Sequence, residues 1–289
     1  MSQFFTEENS AETVIARLDK CSNPRFRQVM ESAIHHLHDF VKEVEPTMDE
    51  WMLAIEWLTA TGKMCDDNRQ EWILASDTLG VSMLAETINH RAPDGRTEAT
   101  VLGPFHVDGA ATMEMGANIA RDGEGEPCLV SGRVLDIEGN PIEGAVLDVW
   151  QTNGAGFYDV QQLDIQPEMN MRGKFVTAAD GRYWFRTAKP VSYPIPTDGP
   201  VGVMLNAMGR HAMRPAHVHF IVTKPGYDAL VTHVFADGDP YIDSDAVFGV
   251  KQSLIAPFVL QTDTDKAREA GLAAPFWSTE FDLKLGAAA

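Results

Sequence analysis

The sequence predicts an α+β protein, a helical N-terminal region followed by an antiparallel β-sandwich, and three observations predict it. Apolar residues recur at helical spacing over residues 10–90. Short alternating segments divided by turn residues fill the chain beyond residue 95, and Pro93, Asp94 and Gly95 stand where one pattern gives way to the other. The domain boundary is set there, giving a helical part over 1–100 and a sandwich over 101–289. With 289 residues, 44% of them hydrophobic, the chain can bury a substantial core.

In the helical part, Phe26, Val29, Met30, Ile34, Leu37 and Val41 mark one apolar stripe, and Trp51, Leu53, Ile55, Trp57 and Leu58 mark another. Asn23 before Pro24, and Thr47 after Pro46, are start signals. A capping side chain accepts a bond from an otherwise unpaired N–H, and proline in the first turn gives up an N–H that has no helical partner. The run CDDN at 65–68 breaks the pattern before a helix running towards His90, of which residues 71–80 form the first part. Four or five helices are expected.

In the second part, strands are expected over 129–135, 145–151, 181–187, 217–223 and 230–236, with turn signals at 136–141, 180–181 and 224–227. Short strands at such intervals make a sandwich whose ends carry long loops.

Composition narrows the function. Forty-two acidic residues against 23 basic give a formal charge of -19, which repels a phosphate backbone, so no nucleic-acid partner is expected. The first eight residues lack a basic start, and no stretch approaches the ~20 apolar residues of a membrane span, which predicts a cytoplasmic protein with no membrane partner. Cys21, Cys65 and Cys128 are odd in number and far apart, so they read as buried reduced thiols rather than a metal knuckle or a disulfide framework.

The strand at 217–223 carries the most informative pattern. Alternate residues point to one face, so His217 and His219 stand together while Val218, Phe220 and Val222 supply the apolar face. Pro215 fits only at the start of that strand. The two imidazoles can reach one metal, or stand as ordinary half-buried histidines. Two tyrosines lie upstream in loop-like settings, Tyr158 in GAGFYD and Tyr193 in PVSYPIP. Pro190, Pro194 and Pro196 stiffen the second loop, and a stiff loop suits a metal ligand.

These residues resemble the intradiol ring-cleaving dioxygenases. The resemblance rests on DVWQTNGAGFY at 148–158, DGRYWFRT at 180–187 and GRHAMRPAHVHF at 209–220, and the stretch DGDPYIDSDAVFGVK at 237–251 is similar to the hydroxyquinol-cleaving branch. It implies one Fe(III) per subunit held by Tyr158, Tyr193, His217 and His219, with Tyr193 and His217 as the axial pair and Tyr193 displaced by substrate. A phenolate is a hard anionic oxygen donor and suits a hard ferric ion. The implied reactants are O2 and a small aromatic diol or triol, the ring opening between adjacent hydroxyls. The departing Tyr193 takes up a substrate proton, which explains why no separate catalytic carboxylate stands out.

By the same resemblance Arg214 lies beside the substrate ring, where its fixed charge can stabilise developing negative charge. The pocket wall is expected from Leu74, Asp77, Leu102, Gly103, Pro104, Phe105, Pro194, Ile195 and Pro196. Asp77 can accept a bond from a third ring hydroxyl, or lie on a solvated helix face, with Leu74, Leu79, Met83 and Leu84 as core. His233, where catechol-cleaving relatives tend to have glutamine, is either a partner of the site or a strand histidine. Trp150 and Trp184 lie near ligand segments. The family further implies a homodimer through the N-terminal helices, with room for a bound lipid. Competing readings are a catechol or chlorocatechol 1,2-dioxygenase, a cupin, whose expected glutamate is replaced by Thr223, Lys224 and Pro225, and a non-catalytic β-sandwich binding module.

Overall fold

The computed structural model describes residues 4–66, 69–92 and 95–288. Asp67, Asn68, Pro93 and Asp94, parts of the two expected pattern breaks, lie outside the described residues. The chain divides into two compact units, Met1–Ala60 and Thr61–Ala289.

The first unit holds α1 (Ser10–Ile15), a 3-10 turn (Ala16–Lys20), α2 (Pro24–Val44) and most of α3 (Met48–Lys63). Both start signals act as read. The Asn23 side chain accepts from Phe26 N at 3.0 Å. Thr47 N donates to Glu50 Oε2 at 2.8 Å and Glu50 N to Thr47 Oγ1 at 3.3 Å, a reciprocal cap. Among the described residues of α2, Ile34 alone is buried. Phe26, Val29, Leu37, Phe40, Val41 and Val44 stay exposed, because periodicity predicts that a face will be covered and not by what.

The second unit opens with α4 (Glu71–Thr78) and α5 (Val81–Asn89). The sequence reads this run as one helix towards His90, yet Gly80 breaks it with a φ of 74°, a left-handed backbone that glycine reaches without a Cβ clash. Leu74 and Met83 are buried, as the alternative reading of this run has them, whereas Leu79 and Leu84 are exposed and Asp77 is buried rather than solvated. Strands then follow: β1 (Pro127–Asp136), β2 (Val146–Trp150), β3 (Arg172–Val176), β4 (Arg182–Ala188) and β5 (Tyr193–Pro194). After α6 (Pro200–Ala207) come β6 (Met213–Arg214), β7 (His217–Thr223), β8 (Leu230–Ala236), β9 (Ile255–Ala256) and β10 (Val259–Gln261). The chain closes with α7 (Thr264–Glu269), β11 (Phe276–Glu280) and β12 (Leu283–Leu285). The five expected strands are β1, β2, β4, β7 and β8.

One sheet runs β3-β2-β7-β8-β9, and in the other β1 has β4 on one edge and β11 with β12 on the other. The expectation of an antiparallel sandwich needs a correction, since both sheets are mixed: β1 lies parallel to β11 and β12, and β8 parallel to β9. Cys128 faces Trp277 and Asp136 faces Leu285 in one unbroken register, so the end of the chain returns as a single interrupted strand. Parallel neighbours need long connections, and such pairing leaves no local mark in a sequence.

Val130, Leu147, Phe175, Phe185, Phe220 and Val234 fill the space between the sheets. With Val218, Phe220 and Val222 turned inward, alternation sends His217 and His219 to the outer face of the sheet. There Trp150 and His233 lie directly across from His219, and Phe235 across from His217. Cys128 is buried, while Cys21 and Cys65 are half-buried, and all three thiols are free. Among the described residues no helix is long and apolar enough to cross a membrane.

Candidate metal centre

Three elements deliver the four expected ligands to one point. β7 supplies His217 and His219; Tyr158 sits at the mouth of a 3-10 turn (Asp159–Gln161) that Gln161 closes by accepting from Tyr158 N at 2.9 Å. Tyr193 lies in a two-stranded ribbon directly opposite Arg214, so β5 and β6 fix both together. The donor atoms form a closed ring. Tyr158 Oη is 2.9 Å from Tyr193 Oη and 2.9 Å from His219 Nε2. His217 Nε2 is 3.1 Å from His219 Nε2 and 3.4 Å from Tyr193 Oη.

All four side chains are buried. Burial holds the His217 and His219 imidazoles well below their ordinary pKa, so they stay neutral, with the Arg214 charge acting the same way on both. His217 Nδ1–H donates to Pro215 O at 2.6 Å, which turns the Nε2 lone pair towards the cluster. Burial also pushes both phenols up, Tyr158 furthest. For Tyr193 the guanidinium of Arg214 partly offsets the loss of solvent, which leaves it the less perturbed of the two. The result is a buried cluster of two phenol oxygens and two imidazole nitrogens.

Arg214 is buried, and its Nη1 stands 3.3 Å from His217 Nε2. Burial works against its charge, but Asp245 and the two phenols more than compensate and hold the guanidinium above its usual range. His233 belongs to the cluster: its ring centroid is 4.1 Å from that of His219 and 4.9 Å from that of His217. Its Nδ1 bonds to Thr100 Oγ1, while Nε2 is buried without a protein partner. His217, His219 and His233 form a set that could hold a metal.

Of the wall residues, Phe105 stacks on Tyr158 with centroids 4.5 Å apart. A Cβ at Gly103 would come within 3.1 Å of His219 Cε1, so the chain passes the ligand where a side chain would crowd it. Leu74 and Asp77 share the buried face of α4, and burial raises the Asp77 pKa against the opposing pull of Ser82 and Arg214. Ile195 is buried and Pro196 half-buried, whereas Leu102, Pro104 and Pro194 are exposed, so any wall there depends on their neighbours. Trp150 lies flat on His219, 4.5 Å between centroids and 13° between planes. Trp184 does not join the site: it is in β4 of the other sheet, packed over Gly116.

A family model described as dioxygenase matches residues 101–286, and one described as catechol dioxygenase N terminus matches residues 23–97. The chain belongs to the intradiol dioxygenase family. It is 59% identical to a hydroxyquinol 1,2-dioxygenase of Rhizobium sp. (strain MTP-10005), over 98% of this chain and 96% of that protein. A 6-chlorohydroxyquinol 1,2-dioxygenase of Cupriavidus pinatubonensis is 52% identical over 90% of this chain and 94% of its own length. Among solved structures, a hydroxyquinol 1,2-dioxygenase from Pseudomonas putida DLL-E4 superposes with a TM-score of 0.92 at 49% identity, covering 98% of this chain and 99% of that one.

Two ion pairs that support this dioxygenase site are absent from the sequence reading. Arg172, 2% exposed, donates from Nε and Nη2 to Asp159 Oδ1 at 2.9 and 2.6 Å and from Nη1 to Phe105 O at 2.7 Å. It thereby holds the residue after Tyr158 and the residue stacked upon it. Arg214 pairs with Asp245 in the same buried way. Asp159 could have been flagged for its place next to Tyr158; nothing local in the sequence joins either pair.

Proposed function

We propose that this chain is a non-haem Fe(III) dioxygenase of hydroxyquinol (benzene-1,2,4-triol), inserting both atoms of O2 to give 3-hydroxy-cis,cis-muconate and, by tautomerisation, maleylacetate. One observation carries it. Two imidazole Nε2 atoms stand 3.1 Å apart with two phenol oxygens closing the ring, so four atoms of the type that ligate a hard cation meet within contact distance in a buried site. The four edges, 2.9, 2.9, 3.1 and 3.4 Å, are short enough for all four atoms to share one cation. Burial makes both phenols hard to ionise, so a cation of high charge is called for, and two phenolates would leave a ferric site with one net positive charge. Tyr158, Tyr193, His217 and His219 are the ligands in this reading.

A ferric ion bound there would withdraw electron density from a coordinated diol and open it to direct reaction with O2. The chain's own groups do the rest. Tyr193 Oη, fixed opposite Arg214, would accept one substrate proton. Arg214 Nη1 would face the substrate oxygens, and Phe105, packed on Tyr158, would keep water from the ring. Asp77 accepts from the third hydroxyl, and His233 Nε2, buried and unpaired, is free to bond the bound molecule.

The test is spectroscopic and then kinetic. Purified with iron available, the protein should be red to brown from phenolate-to-iron charge transfer, with one iron per chain; a colourless protein without iron would count decisively against the reading. Oxygen uptake should be faster with hydroxyquinol than with catechol, chlorocatechols or protocatechuate, and Asp77→Ala should narrow the gap between hydroxyquinol and catechol by about tenfold or more. An unchanged preference removes that role from Asp77.

The exposed apolar faces of α2 and α3 support a homodimer through residues 1–100, with residues 101–289 as the iron-binding catalytic part. A groove bounded by Phe5, Ser10, His38 and Val41 in the first unit offers room for a lipid chain. Sedimentation at micromolar concentration should return twice the mass of 31.8 kDa, and a monomer would contradict the pairing. The free thiols suit the cytoplasm.

A further inference from the structure

The stretch DGDPYIDSDAVFGVK at 237–251 has a structural task that the mechanism has not yet used. Its Asp245 lies against Arg214. Both side chains are almost wholly buried, and they meet edge-on: Arg214 Nε donates to Asp245 Oδ1 at 3.1 Å and Nη2 donates to Oδ2 at 3.3 Å. That leaves Nη1 to face the donor cluster, 3.3 Å from His217 Nε2. The carboxylate is itself pinned, since Oδ1 accepts from Val247 N at 3.3 Å and Oδ2 from Gly249 N at 2.9 Å. Ala246 N donates to Met213 O at 3.1 Å, which ties this loop to the strand carrying Arg214. Space is short as well: a Cβ on Gly249 would stand 3.0 Å from Arg214 Nη2 and 3.1 Å from Asp245 Oδ2.

A guanidinium is planar, so holding two of its nitrogens sets the direction of the third. We propose that Asp245 is a positioning residue, which aims Nη1 of Arg214 at the oxygen-bearing edge of the bound ring and offsets the guanidinium charge so that a cation can be held beside it. This rests on the ferric ring-cleavage reading of the cluster. An amide cannot stand in for the carboxylate: each oxygen accepts from two N–H groups, so whichever way an asparagine is turned, its own NH2 meets two donors.

In fully iron-loaded protein, Asp245→Asn should lower kcat for hydroxyquinol by about 10²-fold or more, with KM changed far less. Competition with a chelator should show its iron affinity reduced by about tenfold or more, because a buried positive charge is left beside the metal. In an Arg214→Met background there is no guanidinium to aim, and Asp245→Asn should lower kcat no further. Equal losses in both backgrounds would mean a merely structural role and would overturn the inference. Gly249→Ala keeps both charges but pushes on the pair. It carries the test if Asp245→Asn does not fold: kcat about tenfold lower at full iron content supports the inference, and an unchanged kcat overturns it. A red, active wild type with unaffected variants defeats this inference alone, whereas a colourless, inert wild type defeats the ferric reading and this inference with it.

Discussion

Tyr158→Phe is expected to leave a folded protein that neither colours with iron nor cleaves the ring, with kcat down by at least about 10³-fold, because a direct ligand must cost more than the 10–100-fold typical of its supporting partners. The phenol oxygen lies at the meeting point of the cluster, 2.9 Å from both Tyr193 Oη and His219 Nε2. In the proposed ferric site, removing it takes away one of two anionic donors. The remaining three donors would have to hold a trivalent ion in a buried site with two net charges uncompensated, which desolvation disfavours strongly. Melting separates this from general damage. Iron at ~1,000 times its dissociation constant should stabilise wild type by about 4 kcal/mol and leave the variant where it was. A red variant that binds one iron per chain and gains the same stability would show that Tyr158 is not a ligand.

The strand half of the fold was legible where a local pattern exists and illegible where only a distant partner defines the element. β7 and β8 coincide with the expected segments, since alternation and β-branched residues are properties of the strand itself. The strands β9 to β12 are two to five residues long; β9 pairs with β8, and β11 and β12 pair with β1, far back in the chain, while β10 pairs only with β11. The ribbon of β5 and β6, two residues in each strand, reads locally as a proline-rich loop, and α6 and α7 are too short to show a period. The site divides in the same way. His217 and His219 announce themselves through spacing, and Tyr158 and Tyr193 through their motifs, but Arg172 with Asp159 and Arg214 with Asp245 are charges like many others in a chain with 65 of them until the fold buries them together. Burial is a tertiary property, and no window of sequence contains it.

That burial makes Arg172 a sensitive position for stability. Arg172→Met should destabilise the iron-free protein by about 3–5 kcal/mol, because the Asp159 carboxylate, 6% exposed, would lose its counter-charge without gaining water. For a chain of this size that is a fall in Tm on the order of 10 °C. Adding Asp159→Asn should recover most of the loss, since an ion pair removed as a pair costs little once neither charge remains buried. Iron binding should not recover with it. Arg172 Nη1 also holds Phe105 O at 2.7 Å, and Phe105 lies against the Tyr158 ring, so the double variant keeps a loosened ligand and an iron affinity about 10–100-fold below wild type. Thermal unfolding of the iron-free forms followed by iron titration reads the two effects apart. If Tm and affinity instead recover together in the double variant, the hold on Phe105 contributes nothing and Arg172 serves only to neutralise Asp159.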